Sequence, residues 1–258
     1  MGCELSFYFD TRLEFSAAVT KHDFLLRCIP ADTSEQRILS YTLSILPDNA
    51  IMSVGVDSCG NRYCSGRIEN AHDEFRYTLQ GTAYRDDFMR EETAPPQWYL
   101  YPSPLTQPTE GLKDFFDSIP FGGSPLETAA VISAKVHERF SYAPGATAVS
   151  TTAGEALALS KGVCQDYAHV FIALCRMAGI PARYVSGLPV GEGASHAWAE
   201  VWEHGLWHGM DPTRGCMARE GYLKLCVGRD YSDCPVERGV FSGGVTQTQT
   251  VFMKVTDK

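Results

Sequence analysis

The chain has 258 residues, of which 44% are hydrophobic and 21% charged, and its formal net charge at pH 7 is −9. This composition is typical of a globular protein with one large domain or two small ones. The acidic balance, with no Lys/Arg cluster, argues against nucleic acid as a partner, and no apolar run approaches the roughly 18 residues of a membrane-spanning helix.

The N-terminal segment MGCELSFYFDTRLEF has neither the basic region nor the continuous apolar stretch of a secretory signal. The chain carries nine cysteines, without a C-x-x-C pair or a zinc-type spacing. We therefore expect a cytoplasmic protein whose cysteines are thiols, with no metal, no other cofactor and no membrane contact.

Residues 1–86 consist of short runs, several of them alternating between apolar and polar residues, with turn residues between the runs. The runs lie at 4–9, 24–29, 40–46, 50–56 and 74–79. This spacing predicts an antiparallel β-sandwich as a β-rich N-terminal domain.

Residues 87–110 combine prolines with aromatic residues. We expect an extended connector that is docked on the protein by its aromatic side chains Trp98, Tyr99 and Tyr101. Such a segment would separate the β-rich domain from a catalytic core at 111–258.

Helical patterns follow at 111–118, 125–140 and 152–160, and a fourth helix is predicted to begin at Cys164. Strands are predicted to take over from 182 to 211. The tail GGVTQTQTVFMKV alternates with period two and is predicted to return to the core sheet. The predicted fold class is therefore α+β, with a catalytic helix packed on an antiparallel sheet.

The segment KGVCQDYAHVFIALCRMAGIP places Cys164 where a helix begins. Gly162 permits a tight turn before it, and Gly179 followed by Pro181 marks the helix end. A cysteine on the first turn feels the positive end of the helix dipole and unpaired backbone N–H groups, and both favour the thiolate. Because the thiolate is the nucleophile, Cys164 is a candidate for covalent catalysis.

Two further segments, SHAWAEVW and GLWHGMDPT, supply a candidate base and a carboxylate. The first alternates, and its small apolar face suits close packing on the cysteine helix. A turn at 203–205 would reverse the chain into a second strand, which Pro212 would end at Asp211. His196 and Asp211 would then lie within hydrogen-bonding reach, which makes Cys164, His196 and Asp211 a candidate triad of nucleophile, base and orienting carboxylate.

Other residues are weaker candidates around this triad. The nucleophile's own backbone N–H is the expected oxyanion donor, and Gln165 and Tyr142 are candidates for a second donor or a substrate contact. Trp198 either roofs the site and contacts substrate or packs in the core. Asp166 is expected to hold the helix start. His169 lies about 140° around the helix from the cysteine, so it is excluded as the base.

These motifs closely resemble the transglutaminase-like superfamily, and more narrowly its two-domain bacterial proteins, in which a β-rich N-terminal domain precedes a papain-like catalytic core. GVCQDYAHVFIALCRMAGIPARYVSG, SHAWAEVW and GMDPT carry the resemblance in the core. DSCGN at 57–61 resembles a D-x-x-G-N turn of the N-terminal domain, and GRDYSDCPVERGVFSGG resembles the segment after the core. The resemblance implies a Cys-His-Asp triad, which maps onto Cys164, His196 and Asp211.

Both the triad and the resemblance predict that Cys164 attacks an amide carbonyl of a peptide or protein substrate and forms a thioester. If water resolves the thioester, the protein is a cysteine protease or amidase, and the resemblance to protease-like bacterial members favours this hydrolysis. If an amine resolves it, the protein is a protein-glutamine acyltransferase. The shape of the pocket decides whether water or an amine reaches the thioester. A third interpretation is a non-catalytic peptide-binding module with a relict triad.

Overall fold

The computed structural model describes residues 2–86 and 94–258, and it confirms the predicted α+β class. The first part of the predicted connector, 87–93, lies outside the described residues. An antiparallel β half-barrel forms the N-terminal region, and helices packed on a second antiparallel sheet form the predicted catalytic core.

One long strand, β1 (Cys3–Leu26), organises the half-barrel. Its first part lies between β5 (His72–Arg85) and β15 (Gln247–Asp257), and its second part pairs with β4 (Arg62–Ile68) and β14 (Glu237–Ser242). The remaining strands of this region, β2 (Gln36–Leu46) and β3 (Ile51–Val56), pair with β5 and β4.

The sequence predicted two short strands, 4–9 and 24–29, where the structure has the single strand β1. The register of β1 against β5 shifts between Glu14 and Val19, and this irregularity marks where β1 passes from one set of partners to the other. Alternate side chains of the first part are buried, as the period of two requires: Leu5, Phe7, Phe9, Thr11, Leu13 and Phe15.

The catalytic core is built around one helix, α4 (Cys164–Met177), which is buried on nearly all sides. It ends as predicted: Gly179 has a φ of +74°, and the N–H of Ile180 donates to the carbonyl of Cys175 at 2.9 Å. Three helices pack near it: α1 (Glu110–Asp117), α2 (Pro125–Arg139) and α3 (Ala153–Leu159). None of the helices in the described parts of the chain is both long enough and apolar enough to span a membrane.

The core sheet has the strand order β12-β11-β10-β8-β13. Its strands are β8 (Ala182–Pro189), β10 (His196–Glu203), β11 (Leu206–Asp211), β12 (Cys216–Ala218) and β13 (Tyr222–Gly228). Three short strands lie outside this sheet: β6 (Ser141–Tyr142), β7 (Lys161–Gly162) and β9 (Gly191–Gly193). β6 pairs with β7, and β9 pairs with β15. The predicted hairpin of β10 and β11 is confirmed, with Glu203 opposite Leu206 across a two-residue turn.

The predicted docking of the connector by aromatic side chains is confirmed for Tyr99 but not for Trp98 and Tyr101. Tyr99 is buried, but Trp98 and Tyr101 are largely exposed. The anchor is Arg176 of α4, whose guanidinium donates to the carbonyl of Tyr99 at 3.1 Å and to the hydroxyl of Thr106 at 2.8 Å. A buried cation thus takes the role that the sequence assigned to the exposed aromatic rings.

The prediction that the C-terminal strand returns to the core sheet is wrong. β15 runs antiparallel to β1 from Leu5↔Asp257 to Phe15↔Gln247, so it belongs to the half-barrel. Its alternating apolar side chains, including Met253 and Val255, are buried in the core that joins the two regions. The other edge of β15 pairs with β9, a few residues before His196.

A buried ionic cluster links the half-barrel to the core sheet. Lys224 is fully buried and lies 2.6 Å from Glu200, and it also contacts Glu35 from the N-terminal region. Arg183 donates to Glu200 at 2.8 Å. The two negative and two positive charges cancel, and their mutual attraction offsets the free-energy cost of removing them from water.

The 57–61 turn makes a second link. Asn61 is fully buried, and its side chain donates to the carbonyl of Val227 and accepts from the N–H of the same residue, both at 2.7 Å. Asp57 closes the turn by accepting from Asn61 N–H at 3.0 Å. The two regions therefore meet through fixed polar contacts as well as through a shared apolar core.

Candidate active site

The start of α4 is held by a buried carboxylate. Asp166 accepts from the N–H of Val163 and from the hydroxyl of Thr147, each at 2.7 Å, which confirms its predicted capping role. A Cβ on Gly162 would lie 2.3 Å from the same carboxylate, so only glycine fits there. These contacts fix Cys164, the first residue of the helix.

His196 and Asp211 meet as the hairpin predicted. His196 begins β10 and Asp211 ends β11. The Nε2 atom of His196 lies 2.7 Å from the Oδ2 atom of Asp211. Because an ionised carboxylate can only accept, Nε2 carries the proton of this hydrogen bond, and Nδ1 is the ring nitrogen that remains for Cys164.

Asp211 is fully buried and makes four hydrogen bonds. Its Oδ1 accepts from the backbone N–H groups of Thr213 and Arg214 at 3.1 Å each. Its Oδ2 accepts from Tyr222 at 3.0 Å as well as from His196. The sequence did not reveal Tyr222, because the strand that carries it, β13, was not predicted.

The surroundings of His196 favour its charged form. Burial lowers the pKa of the imidazole, but the hydrogen bonds to Asp211 and to Cys164 outweigh burial and raise the pKa from 6.5 to about 9. Cys164 lines the same cavity as His196 and interacts with the ring electrostatically. The arrangement can therefore keep an imidazolium beside the sulfur of Cys164 at neutral pH.

A cavity of about 280 Å³ opens beside the triad. One wall comes from the catalytic core and includes Cys164, Gln165 and His196. The opposite wall comes from the half-barrel and from the segment that leads into it: Thr11, Tyr77, Val236, Glu237, Gln249, Val251 and Met253. The half-barrel thus shapes the space beside Cys164, a role that the sequence did not indicate.

The weaker candidates occupy different places. Gln165 lines the cavity, but its side-chain amide donates to the carbonyl of Val149 at 3.0 Å. Tyr142 is largely exposed and close enough to Cys164 for the two to interact electrostatically. Trp198 is completely buried and stacks under His196 with ring centroids 6.4 Å apart, so it packs in the core and does not roof the site.

His169, which the sequence excluded as the base, is fully buried on α4. It accepts a hydrogen bond from the backbone N–H of Tyr231 at 3.2 Å, and burial lowers its pKa to about 4. Within residues 2–86 and 94–258, no three or more His, Cys, Asp or Glu side chains are grouped so that they could hold a metal ion.

Comparison with protein families identifies both halves of the chain. Residues 118–212 match the transglutaminase-like superfamily, and residues 5–83 match the bacterial transglutaminase-like N-terminal region. The first match contains all three triad residues, and the second contains most of the described strands of the half-barrel.

Individual proteins show the same relationship. An uncharacterized Mycobacterium leprae protein is 38% identical over 142 residues, a match that spans 51% of this chain and 50% of that protein. An uncharacterized Mycobacterium tuberculosis protein is 27% identical over 254 residues, spanning 82% of this chain and 79% of its own length. A Cytophaga hutchinsonii crystal structure, provisionally assigned as a cysteine protease, superposes with a TM-score of 0.83 at 23% identity and covers 100% of this chain and 91% of its own. At that identity the superposition supports the fold alone.

Proposed function

Because the chain belongs to the transglutaminase-like superfamily and carries its bacterial N-terminal region, we propose that it is a cysteine-dependent amide or peptide hydrolase. The observation that carries this proposal is that Asp211 is hydrogen-bonded to His196, and that His196 lines one cavity with Cys164, the first residue of a helix. The assignment of the Cytophaga hutchinsonii protein as a cysteine protease agrees with this proposal.

The reaction follows from the positions of the three side chains. The thiolate of Cys164 attacks the carbonyl carbon of a bound amide, and the backbone N–H groups at the start of α4 face the oxyanion that develops. His196 then gives its proton to the leaving amine, which departs as the C–N bond breaks and a thioester remains. Water, deprotonated by His196, attacks the thioester and releases the acid with the free thiol.

Asp211 acts through His196 and not on the substrate. Its two backbone donors and Tyr222 fix the carboxylate, and the carboxylate in turn fixes which nitrogen of His196 faces the thiol. A positioned imidazole with a raised pKa can both accept the thiol proton and deliver it to the amine.

Product analysis distinguishes hydrolysis from its two alternatives. We would incubate the protein with casein and with glutamine peptides, with and without a primary amine, and identify products by mass spectrometry. A cut backbone or a deamidated side chain supports hydrolysis, whereas incorporation of the amine with loss of ammonia shows acyl transfer. Cys164→Ala should abolish either product, and Cys59→Ala serves as the matched control.

A binding module with a relict triad makes a different prediction. Its Cys164 would be alkylated by iodoacetamide no faster than the other cysteines of the chain. Absence of turnover together with such slow labelling would refute the proposed function.

A further inference from the structure

The cavity beside the triad contains a second ionisable group that the mechanism above does not use. Glu237 is the first residue of β14, where the segment after the core enters the half-barrel. Its side chain lines the same cavity as Cys164 and His196. No sequence pattern indicated this residue, because β14 was not predicted.

The partners of Glu237 are neutral. The side-chain amide of Gln249 donates to its Oε2 at 3.0 Å, and the hydroxyl of Tyr77 lies close enough to the carboxyl group to lower its pKa. Within residues 2–86 and 94–258, no Lys, Arg or His forms a salt bridge with Glu237. A carboxylate that faces a partly enclosed cavity without a counter-ion attracts a cation from solution.

The ionisation of Glu237 is set by the cavity. Burial raises its pKa to about 7, although the hydrogen bonds from Tyr77 and Gln249 oppose this rise. Burial also raises the pKa values of the neighbouring Tyr77, Tyr231 and Cys28, so these groups stay neutral when Glu237 titrates. A bound cation would therefore meet the negative charge of Glu237 in the cavity that Cys164 and His196 also line.

We propose that Glu237 is a cation subsite that binds a protonated primary amine while the reacting carbonyl lies at Cys164. An ammonium group fits because it is compact and has three donors, whereas a guanidinium needs a wide planar fork. A cavity of about 280 Å³ holds only a small part of a peptide, so the amine is close to the reacting amide. This inference rests on the proposed function and adds the class of substrate.

Charged thiol reagents test the subsite without knowledge of the natural substrate. Methyl methanethiosulfonate is neutral, its 2-aminoethyl analogue is cationic and its 2-sulfonatoethyl analogue is anionic. Each transfers its thioalkyl group to a thiolate and releases methanesulfinate. We would measure the modification rate of Cys164 by peptide mass spectrometry, with the exposed Cys216 as an internal reference for each reagent.

The ratio of cationic to neutral rates removes the reactivity of the thiolate, because both reagents meet the same thiolate, and its change in Glu237→Gln reports on Glu237. We expect this ratio at Cys164 to exceed that at Cys216 by about tenfold, the size of a charge effect across a partly buried site. The ratio should fall to that of Cys216 in Glu237→Gln and stay unchanged in Asp117→Asn, which neutralises an exposed carboxylate at the end of α1. Lowering the pH from about 8 to about 6 should weaken the preference as Glu237 takes up a proton.

Two protection experiments identify the source of the amine. Glycylglycinamide carries the amine on the acyl chain, and its N-acetyl form lacks that charge; cadaverine represents a separate amine acceptor. Slower labelling of Cys164 with glycylglycinamide but not with its acetylated form assigns the amine to the acyl substrate, and slower labelling with cadaverine assigns it to an acceptor. Either effect should vanish in Glu237→Gln.

The two proposals fail in different ways. A slow reaction of Cys164 with the neutral reagent would refute the proposed function. Fast reaction with the neutral reagent, but an unchanged cation ratio in Glu237→Gln or no protection by either amine, would refute the cation subsite and leave the nucleophile in place.

Discussion

Replacing Asp211 by asparagine tests the triad at its most hydrogen-bonded member. The backbone N–H groups of Thr213 and Arg214 both donate to Oδ1 at 3.1 Å. Only the carbonyl oxygen of the introduced amide can accept them, so its NH₂ group must face His196. That NH₂ group requires an acceptor at Nε2, which moves the ring proton to Nδ1, the nitrogen that faces Cys164.

The expected magnitude follows from the pKa of His196. Its rise from 6.5 to about 9 means that the site stabilises imidazolium relative to imidazole by about 3 kcal/mol more than water does for an ordinary histidine. Without the charge of Asp211, burial would lower this pKa, and the ring would no longer accept the thiol proton. We expect turnover to fall about 10³–10⁴-fold, as the same substitution does in a serine protease triad.

The assay is the rate of Cys164 alkylation by iodoacetamide as a function of pH. In the parent, alkylation at neutral pH should be fast, because His196 takes up the thiol proton and stays beside the sulfur as an imidazolium. In Asp211→Asn the rate at neutral pH should fall, because the ring no longer takes up that proton. Tyr222→Phe removes one donor to Asp211 and should reduce turnover less than about tenfold. An Asp211→Asn protein with the parental alkylation profile would refute this reasoning.

Three further substitutions test the support of the site and the fold. Gly162→Ala should lower the free energy of unfolding in urea by about 1–3 kcal/mol, because the added Cβ would lie 2.3 Å from the Asp166 carboxylate that holds the helix start; an unchanged free energy would contradict the assigned role of that carboxylate. His22 is buried in the half-barrel, and burial, with a smaller effect of a neighbouring histidine, lowers its pKa to about 4. Because the unfolded chain takes up the proton first, the contribution of His22 to stability is full above about pH 6.5 and is lost as the pH falls towards 4, by up to about 3 kcal/mol. Measured by urea unfolding, the His22→Phe protein should lose less stability over that pH range than the parent. Lys224→Met leaves the buried carboxylates Glu35 and Glu200 with Arg183 as their remaining cation in the cluster. The uncompensated negative charge should lower the free energy of unfolding by about 3–5 kcal/mol in thermal denaturation, whereas a melting temperature equal to the parent's would mean that Lys224 contributes no net stability.

The triad could be predicted because every signal for it is local. Each signal involves only a few neighbouring residues: a glycine before the helix start, a carboxylate three residues after the N-cap and an alternating hairpin. The order of cysteine, histidine and aspartate along the chain completes the pattern. Cys164, His196 and Asp211 were identified from such patterns, and the structure brings them together.

The remaining features depend on distant parts of the chain. Glu237 reaches the cavity because β14 pairs with β1, and Tyr222 reaches Asp211 because β13 pairs with β8. The prediction for β15 failed for the same reason. An alternating pattern identifies a strand but not the strand it pairs with, because pairing depends on which sheet edges are free in the whole fold. For Trp198 the sequence left roof and core packing open, and its complete burial decides for the core.

The position of β15 has a consequence for the order of events during synthesis. β15 is translated after all three triad residues, yet it supplies Gln249, Val251 and Met253 to the cavity wall and pairs with the first strand of the chain. Contacts so distant in sequence form late, because closing a long loop costs entropy before the contact stabilises anything. A nascent chain on the ribosome therefore carries the reactive thiol without the completed cavity, and it gains the assembled site only when this last strand has emerged.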